Sequence, residues 1–340
     1  MRLGLVLGGG GLVGLGYHAG VMKALDEWGA NVAAADIIIG TSAGSIIASY
    51  LASGWKAADF YEYAHGRHEK AVKDPGEQKN EVNRIFTPMW TSRGDRVRRG
   101  VGSMFALATS RGYWHRATRG REPSGVLKQL FPAGLYSTGQ TRERLWEDLP
   151  EEWPRDGLYI STVDLYSGKR VPFGHPDAPK APLPDAVLAS TAIPGIFPAV
   201  RIGDRHYVDG GAFSATSLDL AAEAGCEAIL CVAPLGYKSD GVFTPRDPRM
   251  WPPMLVRSLF ARALKREVTA ARAKDIKVFV IRPWITELKS HGTNSMRHFD
   301  RAEFSESTRE GTMRLLDESE GNEVLAAFAK AKPKKSQKAG

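Results

Sequence analysis

The chain opens with a short apolar run, Leu3 to Leu7, that stops on consecutive glycines, Gly8 to Gly11. Val21, Leu25 and Trp28 then recur at i, i+4 and i+7, the stripe of an amphipathic helix, and Gly29 stands where a glycine ends one. Ile37, Ile38 and Ile39 follow without alternation, as in a strand covered on both faces. Ile46, Ile47, Tyr50 and Leu51 make a second helical stripe. Strands alternating with helices in this way predict a parallel sheet in an α/β architecture. Later strands are predicted at Leu158 to Leu165, Ala228 to Ala233 and Ile276 to Ile281. Helical character spans roughly Pro252 to Lys274, and Glu303 to Lys330 reads as a terminal helix pair.

Arg67 to Glu122 fits no such pattern, and there is no internal repeat. The simplest organisation is one α/β domain over residues 1–330, with a basic insert at about 67–122 and a disordered lysine-rich tail at 331–340. With 340 residues, 43% hydrophobic and 25% charged, the chain can bury a proper core, which excludes disorder throughout.

Charge sharpens that division. Of the net +8, the stretch Arg67 to Glu122 holds 13 Lys/Arg against 6 Asp/Glu, and Lys330 to Gly340 adds five lysines and no acid. A mildly acidic body therefore carries two basic attachments, and anionic partners are expected there. Between Arg93 and Arg116, Val97, Val101, Met104, Phe105 and Ala108 recur near helical spacing opposite Arg96 and Arg99, although Gly100 and Gly102 weaken a helix; Trp90, Tyr113 and Trp114 flank the stretch. Two readings stand: an interfacial helix or flap on anionic lipid, and a solvated cap whose apolar side packs on the core. No nucleic-acid recognition motif accompanies the charge, so nucleic acid is not expected as a partner.

Two segments imitate targeting signals. Met1 to Leu15 lacks the continuous apolar region of a signal peptide, because Gly8 to Gly11 break it. Ile37 to Trp55 is uncharged and long enough to span a bilayer, but its glycines and serines suit a buried strand and helix better. Cys226 and Cys231, five residues apart, would fall on opposite faces of a strand and remain unbonded. A cytoplasmic location, with or without peripheral membrane contact, is the expectation.

Candidate chemistry lies in three places. Gly40-Thr41-Ser42-Ala43-Gly44 follows a predicted strand and precedes a predicted helix, the context in which a GxSxG serine stands clear on a sharp turn. The bland alternative is a strand-to-helix turn built from small residues. Gly9, Gly11 and Gly14 satisfy GxGxxG, yet the second strand ends in Gly40-Thr41-Ser42 where a dinucleotide fold wants a ribose-binding acid. An oxyanion hole of backbone amides is the remaining functional reading. Tyr207-Val208-Asp209-Gly210-Gly211 is by itself a common turn; it gains weight from Ala189-Ser190-Thr191-Ala192-Ile193-Pro194-Gly195-Ile196-Phe197-Pro198 ahead of it. His18 and His206 do not stand at a spacing that marks a triad base.

Taken in order, the glycine loop with Gly20 to Leu25 behind it, the Ser42 elbow, Ala189 to Pro198 and Asp209-Gly210-Gly211 resemble the patatin-like phospholipase family. The resemblance covers about residues 3–220, with the basic insert poorly matched inside it. It implies a three-layer α/β fold with a mainly parallel central sheet, and cleavage of lipid acyl esters by a Ser–Asp dyad. Carried over, Ser42 is the nucleophile, Asp209 the proton acceptor, and the amides of Gly9, Gly10 and Gly11 the oxyanion hole. Gly14, Gly40, Gly44, Gly210 and Gly211 complete the motifs. Val13 stands where many relatives have arginine. No cofactor or metal is implied. The expected substrate is a lipid or another long-chain acyl ester. An acyltransferase using the same dyad and a non-catalytic membrane-binding scaffold are the rival readings.

Overall fold

The computed structural model describes residues 1–71, 86–110, 134–238, 251–284 and 300–332, without the side chains of 104–110 and 251–253. In chain order the elements begin with β1 (Leu3–Leu7), α1 (Gly11–Glu27), β2 (Ile37–Thr41), α2 (Ala43–Ala52) and α3 (Ala57–Ala64). Next come α4 (Arg93–Ser110), α5 (Gly139–Asp148), β3 (Leu158–Asp164), β4 (Arg170–Phe173), α6 (Leu183–Thr191), β5 (Val200–Ile202) and β6 (Arg205–Asp209). The chain continues through α7 (Leu218–Glu223), β7 (Ala228–Val232), α8 (Trp251–Arg272), β8 (Lys277–Ile281), α9 (Arg301–Glu318) and α10 (Glu323–Lys330).

The chain divides into two compact units. The first comprises Met1–Ala71, Pro154–Leu158 and Ser214–Gly340; the second comprises Val72–Trp153 and Tyr159–Phe213.

The first unit is a parallel sheet in the order β2-β1-β7-β8, flanked by helices. Every residue of β1, β2 and β7 is buried, which is why these strands read as unbroken apolar runs. Leu7 pairs with Gly40 on one side and Val232 on the other, so the loops after these strands leave the sheet at the same edge. Helix α1 packs on α9 and α3. Gly20 permits the first contact: a Cβ there would lie 2.3 Å from the Ser305 carbonyl oxygen. Tyr61 on α3 and Arg309 on α9 both bond Glu306, and the paired guanidinium and phenol hold that carboxyl down at a pKa of about 2.

The second unit is antiparallel, with β3 between β4 and β6, and β5 on the far side of β6. Helix α6 packs on β5 and β6, and α5 lies against α6. Trp146 Nε1 of α5 donates to Asp185 of α6 at 3.1 Å.

Several expectations change here. Helix α4 runs through Gly100 and Gly102, and its Val97 and Val101 are 68% and 48% exposed rather than packed inward. Asp95 engages two of the arginines, Arg98 at 2.9 Å and Arg99 at 3.1 Å, and Arg96 sits over the Trp90 ring. The expectations for Tyr113 and Trp114, and for the tail from residue 333 onward, lie outside the described residues. Both cysteines are free and buried, but Cys226 precedes β7 instead of sharing it with Cys231.

Candidate active site

Because β2 ends at Thr41 and α2 begins at Ala43, one residue has to turn the chain from strand to helix. Ser42 does so at φ 54°, ψ −124°, a conformation that costs a residue with a Cβ about 1–3 kcal/mol. Its neighbours are small of necessity. A Cβ on Gly40 would stand 2.5 Å from Ser45 Cα, and one on Gly44 would stand 1.9 Å from the Leu7 carbonyl oxygen. The amide and hydroxyl of Ser45 both donate to the Ser42 carbonyl, at 2.8 and 2.6 Å, which closes the turn. Ser42 itself is 6% exposed.

The glycine loop lies against this elbow. A Cβ on Gly9 would sit 3.2 Å from Ser42 Cβ, and one on Gly14 would sit 3.3 Å from Ala43 Cβ, so the first turns of α1 and α2 meet. The loop is fixed by three bonds. Gly8 N–H donates to Val232 O at 2.8 Å, His18 Nε2 lies 2.8 Å from Gly8 O, and Gly9 N–H donates to Ala215 O at 2.7 Å.

The last of these corrects the expected oxyanion hole. The Gly9 amide is already committed to Ala215, so the candidate donors narrow to Gly10 and Gly11. Gly10 caps α1 and Gly11 is its first residue, at φ 59°. The first amides of a helix have no intrahelical acceptor, and they carry the positive end of its dipole. Val13 is buried in the same turn.

His18 belongs to the loop's scaffold. It is fully buried, and desolvation lowers its pKa to about 4, so the ring is neutral at physiological pH. Because a carbonyl can only accept, the proton facing Gly8 resides on Nε2.

In the second unit, β6 ends at Asp209, which is 4% exposed. Its Oδ1 accepts the Gly211 N–H at 2.7 Å, and its own N–H donates to Ala192 O at 3.0 Å. The stretch Ala189 to Pro198 is thus bonded directly to the Asp209 turn, which explains why the two motifs accompany each other. Gly210 packs so closely on β3 that a Cβ would lie 2.4 Å from the Ser161 carbonyl oxygen. His206 is a half-buried strand residue whose Nδ1 lies 3.0 Å from the Tyr166 hydroxyl.

Ser42, Gly9, Gly10, Gly11, Gly14, Gly40 and Gly44 therefore come together in the first unit, and Asp209, Gly210 and Gly211 in the second. Sequence reasoning missed Glu267 of α8, which accepts the hydroxyls of Ser214 and Thr216 and the amide of Leu218. A single acid in a basic helix offers no pattern by which to find it. Among the described residues, no group of three or more His, Cys, Asp or Glu is arranged to hold a metal ion. No described helix is long and apolar enough to cross a membrane.

A serine on a strained strand-to-helix turn, backed by a glycine-rich helix start on a parallel α/β sheet, is the site architecture of α/β acyl hydrolases. A model of the family "Patatin-like phospholipase" matches residues 5–222. The chain belongs to the patatin-like phospholipase family, a family of lipid acyl hydrolases. Among solved structures, the crystal structure of VipD from Legionella pneumophila is similar over 93% of this chain and 66% of that one, at 16% identity and a TM-score of 0.44. A likeness that loose carries no argument about the site.

Proposed function

We propose that the protein is a serine lipid acyl hydrolase working through a Ser42–Asp209 dyad, with the amides of Gly10 and Gly11 as the oxyanion hole. The observation that carries this reading is the backbone of Ser42. A non-glycine residue held at φ 54°, ψ −124°, with Gly9 packed close to its Cβ, is strained where a glycine would not be. Such strain persists where the side chain it presents has work to do.

In the proposed cycle Asp209 takes the Ser42 hydroxyl proton as Oγ attacks the ester carbonyl. The tetrahedral oxyanion forms at the joined N-termini of α1 and α2, where each well-placed amide lowers the barrier by about 3–4 kcal/mol. Asp209 returns the proton to the departing alcohol, which leaves an acyl-enzyme on Ser42. Water then attacks that ester with Asp209 again as base, and the proton passes to Ser42 Oγ as its bond to the acyl carbon breaks and the fatty acid leaves. The Gly211 amide, donating to Oδ1 at 2.7 Å, orients the carboxylate.

Exposed apolar side chains beside cations support a substrate taken from a lipid surface. On α8, Leu255, Val256 and Leu259 are 64%, 49% and 45% exposed, followed along the helix by Arg262, Lys265 and Arg266. On α4, Val97 and Val101 are likewise exposed, on a helix that also carries Arg93 and Arg96.

The test is fatty-acid release from phospholipid by wild type, Ser42→Ala, Asp209→Asn and His206→Ala. Ser42→Ala should be inactive, and Asp209→Asn should lose about 10²–10⁴-fold or more. His206→Ala should stay within about tenfold of wild type. A folded His206→Ala as inactive as Asp209→Asn would replace the dyad with a triad.

A further inference from the structure

Beyond the dyad and the glycines, the structure assigns a positioning role to Glu267: we infer that this carboxylate holds the oxyanion loop in register from behind. The chain of contacts is short and lies wholly within the first unit. Glu267 Oε1 accepts Ser214 Oγ at 2.5 Å, while Oε2 accepts Thr216 Oγ1 at 2.7 Å and the Leu218 amide at 3.1 Å. Between those anchors lies Ala215, whose carbonyl takes the Gly9 amide at 2.7 Å. Gly9 in turn lies against Ser42 Cβ and immediately precedes the two amides assigned to the oxyanion.

Two features indicate that the segment from Ser214 to Leu218 needs such a clamp. Ser217 is one of three described non-glycine residues at positive φ, at 53°, and its amide donates to Ser214 Oγ at 2.9 Å. The Ser214 hydroxyl therefore accepts from the strained residue while donating to Glu267, so the carboxylate helps to hold that strain in place. Packing alone does less here, because a small cavity lined by Gly9, Ala215, Leu235, Phe260 and Leu264 runs beside the segment. With Ser214 and Thr216 both buried, losing their shared acceptor would leave two hydroxyls unsatisfied and let the segment shift. Gly9 would shift with it. Helix α8 is fixed independently through Arg257, whose Nη1 donates to Pro234 O at 2.9 Å, so it can serve as the anchor.

The inference rests on the hydrolase reading for its kinetic consequence only. An oxyanion donor acts in the transition state, so its displacement lowers kcat and leaves KM nearly unchanged. Full-length Glu267→Ala should lose about 10- to 100-fold in kcat on a soluble short-chain ester, short of the ~10²–10³-fold that deleting a donor outright costs. Glu267→Gln, which keeps one carbonyl acceptor, should recover part of that loss. In parallel, amide hydrogen exchange of the peptide spanning Gly8 to Leu12 should be faster in Glu267→Ala than in wild type, with global unfolding checked by circular dichroism. A folded Glu267→Ala with unchanged kcat and unchanged exchange would overturn the assignment, and so would a rise in KM at constant kcat. If the wild-type enzyme hydrolyses no ester, the hydrolase reading fails; the exchange experiment still decides whether Glu267 holds the loop.

Discussion

Replacing Ser42 by glycine should make the protein more stable than replacing it by alanine, the reverse of the usual order. At ordinary strand or helix positions glycine is worse than alanine by about 0.5–1 kcal/mol, because the unfolded chain gains freedom. At φ 54°, ψ −124° an alanine Cβ keeps the strain of about 1–3 kcal/mol, and glycine releases it. Subtracting the entropy term leaves glycine ahead by up to about 2.5 kcal/mol. Both variants lack the hydroxyl, so whatever the hydroxyl contributes cancels in the comparison. Urea unfolding of the two proteins, with midpoints compared at a common slope, reads the difference directly. Both should be inactive as hydrolases. Alanine equal to or more stable than glycine would mean that the elbow is not strained, and would remove the observation on which the nucleophile assignment rests.

Two further outcomes follow from the same geometry. His18 is held neutral in the folded state with a pKa near 4, whereas in the unfolded chain it titrates near 6.5. As pH falls from about 6.5 to about 4 the unfolded state takes up a proton that the native state refuses, so stability declines by roughly 3 kcal/mol over that window and is unaffected above it. In His18→Gln that part of the decline should vanish; parallel pH profiles for the two proteins would contradict it. On α4, where Arg98 and Arg99 are engaged by Asp95, Arg93→Gln with Arg96→Gln should weaken binding to phosphatidylserine vesicles at low salt by about fivefold per charge. Neutralising Arg98 and Arg99 should do less, and vesicle binding indifferent to all four would make α4 a structural cap.

Much of the first unit was legible because buried parallel strands leave unbroken apolar runs. Leu3–Leu7 was read to the residue, and Ile37, Val278 and Val280 marked their strands. Among the described antiparallel strands β3, buried along its whole length, was read in the same way, but the shorter ones were not. Arg170–Phe173 and Val200–Ile202 are short and half-exposed, and the first carries Pro172, so neither alternation nor a run stands out. The elbow was legible for a steric reason: only glycine fits at positions 40 and 44, and that requirement is written in the sequence. The commitment of the Gly9 amide was not, since its acceptor, Ala215, lies far along the chain. Glu267 was hidden likewise, because what distinguishes it from the other charges of α8 is the loop it faces.

The most direct measurement of the central claim is covalent labelling with a lipid-like fluorophosphonate, followed by peptide mass mapping. Wild type should acquire a single adduct, carried by Ser42. Asp209→Asn should label far more slowly and Ser42→Ala not at all. Labelling of Ser42→Ala at the wild-type rate, or an adduct on another residue, would contradict the account.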